Sequence, residues 1–202
     1  CAAFNGGTHM PFEDMALYRA LPGAYVFDMT DAVMLKDILA QCKDMSGIKY
    51  IRVGRKSNAK VYEDGARFEP GKGIVVKEYG KDAVVIACGI MVAKAVEAAR
   101  ILADDNINIT VIDMFTVKPL DEALVLKYAK MADAVVTAEN HNKIGGLYGA
   151  VSEYLGRTYP VPLGYVAVED EFGEVGPQEY LEERFGLTPE RIVEEVRKTG
   201  KL

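Results

Sequence analysis

One of the two histidines lies in a segment whose residue types suit ligand binding. His9 follows Gly6-Gly7-Thr8 and precedes apolar residues at helical spacing. Glycine reaches backbone angles that bring main-chain amides close to a ligand. An imidazole can donate to a hydroxyl or move a proton near neutral pH. The alternative is a loop histidine that only caps or packs against the helix, so the residues alone leave both roles open for His9.

Two arginines lie near the end of a predicted β-strand, where a parallel sheet commonly binds its ligands. The strand is predicted over residues 48–53, which alternate in polarity; Arg52 lies inside it and Arg55 just beyond it. A guanidinium at this position suits bidentate binding of a phosphate. A surface ion pair is the alternative for each arginine, and Arg52 is also open to a structural role.

A glycine-containing segment after a later strand could hold an anion at a helix N-terminus. It reads Glu139-Asn140-His141-Asn142 and is followed by Gly145-Gly146, without the spacing of a dinucleotide fingerprint or a P-loop. We interpret it as a structural turn that includes His141, because no second histidine or cysteine lies nearby to complete a metal site. The acidic run at residues 169–174 lacks calcium-loop spacing and is interpreted as a solvated turn.

The three cysteines indicate neither a disulfide framework nor a zinc site, since they are widely spaced and none forms a CxxC pair. Cys88 directly follows the apolar residues 84–87, so we predict a buried core residue rather than a nucleophile. Reduced thiols of this kind are typical of a cytoplasmic protein, which is the localisation that we expect.

The composition is that of a folded globular chain. Half of the 202 residues are hydrophobic and the formal net charge is −6. This charge argues against nucleic acid or an anionic membrane as a bulk partner. No run of about 18 apolar residues is present, so no transmembrane helix is expected.

Predicted strands and helices alternate along the chain, which is typical of an α/β fold with a mostly parallel sheet. A strand at residues 24–27, a helix capped by Thr30 or Asp31, and the strand at 48–53 form a first unit with parallel strands. Residues 57–72 are polar, contain Gly and Pro, and are predicted to be a linker. After it, further strands are predicted at residues 74–78, 83–87, 107–113, 134–138 and 161–168. Helices are predicted between and after them, at residues 91–103, 119–129, 145–155, 177–185 and 189–198.

A series of motifs spread over the chain resembles the transketolases. In order they read GTHxPxEDxALxRALP, YIRxGR, CGIMVxxAxEAA, IDMFTVKPLD and TAENHNxIGGL. The resemblance implies the rear part of a pyrimidine-binding domain at residues 1–56, a linker at 57–72, and a three-layer α/β/α transketolase C-terminal domain at 73–202. It is greatest for the C-terminal subunit of split transketolases. Two relatives with the same architecture, 1-deoxyxylulose-5-phosphate synthase and the beta subunits of 2-oxoacid dehydrogenases, are the alternatives within the superfamily.

The resemblance also assigns roles to individual residues. It implies that His9 lines the substrate channel beside the cofactor and contacts sugar hydroxyls, and that Arg55 binds the phosphate of the sugar. Asn5 occupies the position where the family usually has an aspartate that contacts a substrate hydroxyl; asparagine keeps hydrogen-bonding capacity but loses the charge. Gly7 and Met10 stand where the family usually has proline and glutamine.

The resemblance implies a transferase that moves a two-carbon ketol unit between sugar phosphates. Its cofactors would be thiamine diphosphate and Mg²⁺, held between chains and by parts of the family's fold that precede this segment. We therefore expect this chain to bind neither cofactor alone, to be inactive alone, and to act with an N-terminal transketolase subunit or domain, as a homodimer. The alternative function is a non-catalytic dimerisation or interaction module.

Overall fold

The computed structural model describes residues 6–54 and 58–202. In this part of the chain, helices and strands alternate almost throughout. In chain order they are α1 (Asp14–Arg19), β1 (Tyr25–Asp28), α2 (Ala32–Cys42), β2 (Lys49–Arg52), β3 (Ile74–Glu78), β4 (Ala83–Ala87), α3 (Met91–Asp104), β5 (Ile109–Asp113), β6 (Thr116–Lys118), α4 (Glu122–Ala129), β7 (Val135–Asn142), α5 (Leu147–Thr158), β8 (Leu163–Val168), α6 (Gln178–Arg184) and α7 (Pro189–Gly200).

The larger sheet has the strand order β3-β5-β4-β7-β8. Strands β5, β4, β7 and β8 run parallel, and only the edge strand β3 is antiparallel to its neighbour β5. The predicted α/β class with a mostly parallel sheet is therefore confirmed. β3 and β4 flank a turn but do not pair with each other, because β5 lies between them.

Helices cover both faces of this sheet, which gives the predicted three-layer arrangement. Side chains of β4 alternate between the two faces: Val85 packs with α3, α6 and α7, whereas Val84 and Ile86 pack with α4 and α5. All of β4 is buried, since helices lie on each side. The carboxyl ends of the parallel strands remain at one edge, where loops can carry functional side chains.

The smaller sheet joins the first part of the chain to its middle. Its strand order is β2-β1-β6, with β1 and β2 parallel and β6 antiparallel to β1. β6 directly follows β5 of the larger sheet, and it was not predicted from the sequence. One sheet therefore combines strands from the first 52 residues with a strand from the later part of the chain.

Strand β7 is longer than predicted. It continues through Glu139 and His141 to Asn142, so these residues lie in a strand rather than in the turn that we predicted from the sequence. The turn proper comes after them and ends at Gly146, which immediately precedes α5. None of the helices in residues 6–54 and 58–202 has the length and apolar character that crossing a bilayer requires.

Asp31 is the N-cap of α2, one of the two residues predicted for that role. Its Oδ1 accepts the Met34 N–H at 2.9 Å, and its Oδ2 accepts the Val61 and Tyr62 N–H groups, each at 2.9 Å. The same buried carboxylate thus caps a helix and fixes the segment that follows β2.

Asp31→Ala is expected to lower the free energy of unfolding by about 2–3 kcal/mol, because it removes a cap and leaves two further N–H groups without their acceptor. Thr188→Ala is the matched control, since Thr188 caps α7 by accepting only the Arg191 N–H. Its expected loss is about 1 kcal/mol. Urea unfolding of both variants would test this, and equal losses would contradict the double role of Asp31.

Candidate functional site

A polar cleft of about 250 Å³ lies where the carboxyl ends of strands from both sheets meet. β1 contributes Asp28, β2 contributes Arg52, β7 contributes Asn140, and Ile90 follows β4. Ligands of parallel α/β proteins bind beyond this edge of a sheet. The position and polarity of the cleft make it the candidate functional site.

His9 is exposed and lines this cleft. The turn that carries it is closed by two backbone hydrogen bonds to the Gly6 carbonyl, from the His9 N–H at 3.2 Å and the Met10 N–H at 3.0 Å. Gly6 has φ +64, a left-handed conformation that favours glycine. The Thr8 hydroxyl lies 2.9 Å from His9 Nδ1, which fixes one edge of the imidazole.

The turn packs closely against the later part of the chain. The Gly7 N–H donates to the Gly173 carbonyl at 3.2 Å, and a Cβ on Gly7 would lie 3.0 Å from that oxygen. Next along the chain, the rings of Phe12 and Phe185 pack edge-to-face, with their centroids 5.0 Å apart. The backbone carbonyl of Phe12 accepts the Asn142 N–H at 2.7 Å. The position of His9 therefore depends on contacts with both parts of the fold.

Arg52 forms the floor of the cleft, and all three of its guanidinium nitrogens are engaged. Nε lies 2.9 Å from Asp14 Oδ2, Nη1 donates to the Asn140 carbonyl, and Nη2 donates to the Pro11 carbonyl at 3.1 Å. Nη1 is also 3.7 Å from Asp28 Oδ2. The Arg52 side chain is only 14% exposed, and the two carboxylates are 7% and 8% exposed. This is a buried ion cluster, so the structural role left open for Arg52 is confirmed.

Asp14 also accepts a hydrogen bond from the Tyr50 hydroxyl at 2.7 Å. Burial, together with this hydrogen bond and the charge of Asp14, raises the pKa of Tyr50, so the phenol remains a donor. Burial also raises the pKa of Asp28, against the opposing effect of Arg52. The floor of the cleft is thus a fixed arrangement of donors and acceptors.

Cys88 lies beneath this floor and is fully buried, as predicted for a core residue. Burial, followed by the charge of Asp28, raises the pKa of the thiol well above its usual value. A thiol in this environment stays protonated and is a poor nucleophile. Gly89, the next residue, has φ +55, and a Cβ on it would lie 2.5 Å from the Asp28 carboxylate. Glycine at this position therefore leaves room for Asp28.

His141 is also fully buried and has a structural environment. Its Nδ1 lies 2.7 Å from the Asn142 carbonyl and its Nε2 lies 3.3 Å from the Ala16 backbone nitrogen. Burial and then the positive charge of Arg52 lower the pKa of His141 to about 4, so the ring is neutral at pH 7. A neutral ring with the proton on Nδ1 satisfies both contacts.

Glu139, in β7, binds the N-terminus of α5, the helix that follows. It is fully buried and accepts the Leu147 and Tyr148 N–H groups at 2.7 and 2.8 Å, at the N-terminus of α5. A Cβ on Gly146 would lie 2.0 Å from Glu139 Oε2, so this glycine is required by close packing. Of the glycine pair recognised in the sequence, Gly146 therefore makes room for a carboxylate of the protein itself, whereas a Cβ on Gly145 would lie 2.6 Å from the Ala16 Cβ.

Asn5 and Arg55, the other two residues predicted to bind substrate, lie outside the described residues. Of the predicted substrate ligands, the structure thus describes His9 alone, at the cleft. Sequence reasoning missed Asp14 and Asp28 as partners of Arg52. A usable signal was present, since Asp28 directly follows the strand predicted at residues 24–27 and Arg52 lies near the end of the parallel strand predicted at 48–53, and such ends meet at one edge. In residues 6–54 and 58–202, no group of three His, Cys, Asp or Glu side chains is arranged to hold a metal ion.

Comparison with known proteins identifies relatives along the whole chain. The family described as transketolase, C-terminal domain, matches residues 71–192. The chain is 44% identical over 192 residues to a 6-deoxy-6-sulfo-D-fructose transketolase subunit, SqwH, of Clostridium sp. strain MSTE9, with 95% of this chain and 59% of that protein covered. It is 35% identical over 201 residues to a putative transketolase C-terminal section of Methanocaldococcus jannaschii, covering 96% of this chain and 62% of that protein.

Solved structures give the same result. A split-gene transketolase described as an inactive β4 tetramer matches with a TM-score of 0.91 and 42% identity, covering 97% of this chain and 63% of that chain. The transketolase of Leishmania mexicana matches with a TM-score of 0.77 over 98% of this chain and 28% of its own, at 22% identity, which supports the fold alone. The chain thus spans about six tenths of the length of the first relatives that it matches.

Proposed function

The chain belongs to the transketolase family, as its C-terminal part, and we propose that it acts in an assembly that transfers a two-carbon ketol unit between sugar phosphates. The observation that carries this proposal is the position of His9, on a closed turn at a polar cleft formed by the carboxyl ends of strands from both sheets. An imidazole held there can donate to, or accept from, the hydroxyl groups of a sugar.

Within this proposal, the ring nitrogens of His9 have different tasks. Nδ1 lies beside the Thr8 hydroxyl, so we assign Nε2 to the substrate. We retain Asn5 as a further ligand of the substrate hydroxyls and Arg55 as the ligand of its phosphate, on the basis of their positions in the motifs. Arg52 is not assigned to the phosphate, because its nitrogens are engaged within the protein.

The cofactor of this reaction would be thiamine diphosphate with Mg²⁺. When bound, thiamine diphosphate supplies the carbanion chemistry, and the protein supplies position and electrostatics. We assign no described residue of this chain to the metal, since no group of three His, Cys, Asp or Glu side chains in residues 6–54 and 58–202 is arranged to hold one, and we assign the diphosphate to the same partner as the metal. We propose that an N-terminal transketolase subunit or domain provides these groups, that this chain alone is inactive, and that the assembly is a cytoplasmic homodimer of such pairs.

We also propose the division into residues 1–56, 57–72 and 73–202 that the motifs indicated. The match of the C-terminal domain family to residues 71–192 supports a boundary near residue 72. The proposed linker also makes specific contacts with the segments on both sides. The Val61 and Tyr62 N–H groups donate hydrogen bonds to Asp31, and the Tyr62 hydroxyl donates to Asp113.

His9→Ala is expected to lower kcat/KM for a ketose phosphate donor by roughly 10- to 100-fold, because a hydrogen bond to the substrate worth about 1–3 kcal/mol is lost. His9→Asn should retain part of the activity, since its amide can still donate. The measurement is steady-state transfer by the full-length protein with its partner subunit, thiamine diphosphate and Mg²⁺. An unchanged kcat/KM in His9→Ala would show that His9 does not contact the substrate. A wild-type assembly without cofactor-dependent transfer would contradict the proposed function.

A non-catalytic interaction module is the second candidate, and exposed apolar side chains favour it. Phe172 is 87% exposed and Val175 is 62% exposed; they lie one and two residues from Gly173, which packs on the His9 turn. Leu17 and Ile144 are also largely exposed. Apolar side chains of this kind at a functional edge are typical of surfaces that associate. A chain that self-associates in sedimentation but adds no activity to any partner subunit would favour this function over the first.

A further inference from the structure

We propose that Arg52 is a positioning residue for His9, which holds the His9 turn in register with the later part of the chain. This inference rests on the proposed function, in which His9 contacts the substrate. Arg52 is buried and does not contact His9, so its effect on His9 is indirect.

The first step is the geometry of the guanidinium. Its Nη2 donates to the carbonyl of Pro11, two residues after His9, and its Nε is 2.9 Å from Asp14, in the first turn of α1. These two contacts fix the chain on the helix side of His9. Nη1 donates to the carbonyl of Asn140 at the end of β7, so the same planar group is tied to the larger sheet.

The second step is burial. The Arg52 side chain is 14% exposed, and its carboxylate partners are 7% and 8% exposed, so the cluster is screened little by water. A planar guanidinium with all three nitrogens engaged has one orientation. The guanidinium is therefore a rigid link that fixes Pro11 relative to β7. Because Pro11 follows the His9 turn, the turn is fixed relative to β7 as well.

The third step is that lysine cannot replace this link. An ammonium is a compact charge on a flexible stem, without the fixed fork that serves three separated acceptors. Lysine at position 52 would keep the charge beside Asp14 and Asp28 while giving up contacts to the carbonyls. The Pro11 carbonyl and the turn before it would then be held less firmly.

Arg19 provides a matched control at the same junction. It donates to the Gly145 and Gly146 carbonyls at 2.6 and 3.2 Å and pairs with Glu153 at 2.8 Å. Like Arg52, it ties the first part of the chain to carbonyls of the later part, here in the turn between β7 and α5. Its contacts lie at the far end of α1, away from the His9 turn, so Arg19→Lys should not change the site.

The experiment is a double-mutant cycle in the full assembly with its partner subunit and cofactor. Arg52→Lys is expected to raise KM for the donor ketose phosphate about tenfold with little change in kcat, because a contact of about 1.4 kcal/mol that forms already in the bound substrate is weakened. In a His9→Ala background the same change should have almost no effect, because the residue acts through His9. Arg19→Lys should leave KM unchanged in both backgrounds. An Arg52→Lys effect of the same size with and without His9 would overturn the proposal, as would no effect at all.

A second readout does not depend on activity. The imidazole Cε1–H signal of His9 in histidine-labelled protein, identified by its loss in His9→Asn, should shift or broaden in Arg52→Lys and stay unchanged in Arg19→Lys. An unchanged signal in Arg52→Lys would overturn the positioning role even if the wild type showed no transfer activity, so the two proposals fail separately. If Arg52→Lys does not fold, Asp14→Asn is the substitute, because it leaves the guanidinium in place and weakens its contact with α1. It is expected to change the His9 signal in the same way and to raise KM about two- to threefold.

Discussion

Arg52→Met is expected to lower the free energy of unfolding by about 3–5 kcal/mol, because it leaves Asp14 and Asp28 buried without their cation. Both carboxylates are less than a tenth exposed, and burial already raises the pKa of Asp28 with Arg52 present. Without the cation, the negative charges of this cluster are buried with no opposite charge beside them. Urea unfolding at pH 7 of wild type and variant measures the loss.

Two further variants separate this effect from a general loss of packing. Arg19→Met should cost only about 1 kcal/mol, since its partner Glu153 is 63% exposed and a solvated ion pair contributes little. The triple variant with Asp14→Asn and Asp28→Asn should recover part of the loss, because no buried charge then lacks a partner. A loss below about 1 kcal/mol in Arg52→Met would contradict the idea that the cluster is charged in the folded protein.

Asp113 is expected to make the protein less stable as the pH rises from about 4 to about 7. It ends β5 and is fully buried; its Oδ2 accepts the Thr30 hydroxyl at 2.6 Å and the Tyr62 hydroxyl at 2.7 Å. Oδ1 has no hydrogen-bond partner among the described residues. Burial raises the pKa of Asp113 from 3.8 to about 7, in spite of these two donors.

The direction of the effect follows from which state holds the proton. Between about pH 4 and pH 7 the folded protein keeps a proton on Asp113 that the unfolded chain has released, so raising the pH favours unfolding. A difference of about three pKa units corresponds to on the order of 4 kcal/mol over this range. Burial also raises the pKa of Glu139 to about 7, so this group contributes in the same direction.

Asp113→Asn removes one of these two titrations while keeping an oxygen that can accept both hydroxyls. The free energy of unfolding of this variant should therefore fall less steeply between about pH 4 and pH 7 than that of the wild type. The exposed Asp104 provides the control, and Asp104→Asn should follow the wild-type curve. Denaturant titrations at a series of pH values make the comparison. Parallel curves for Asp113→Asn and wild type would show that Asp113 does not hold its proton in the folded state.

The features that the sequence predicted well are local. Asp31 precedes a helix with regular apolar spacing, so its capping role follows from the residues around it. Cys88 follows a continuous apolar run, which indicates a strand covered on both faces, and its burial follows from that. The alternation of strands and helices predicted the α/β class because a parallel sheet requires crossover connections.

The features that it predicted poorly depend on which distant segments meet. The partners of Arg52 lie at positions 11, 14, 28 and 140, and only Asp28, beside the end of the neighbouring predicted strand, had a signal in the sequence. β6 has only three residues, too few to show a period-2 pattern. Its partner β1 lies far earlier in the chain, so the sequence around β6 does not indicate the pairing. β5 was predicted as a strand, but its position between β3 and β4 was not, because period-2 alternation identifies a strand without naming its neighbour.

The crossing of β6 into the smaller sheet has a consequence for dissecting the chain. A cut within residues 59–72 would divide the sequence near the boundary of the matched family, yet the C-terminal piece would carry β6 without β1, and the N-terminal piece would carry β1 with one edge bare. The segment that the family model matches is thus not the same as the segment that folds as a unit. The two pieces are complementary halves, which we expect to recombine when mixed, as in a split-protein reporter, rather than to behave as separable modules.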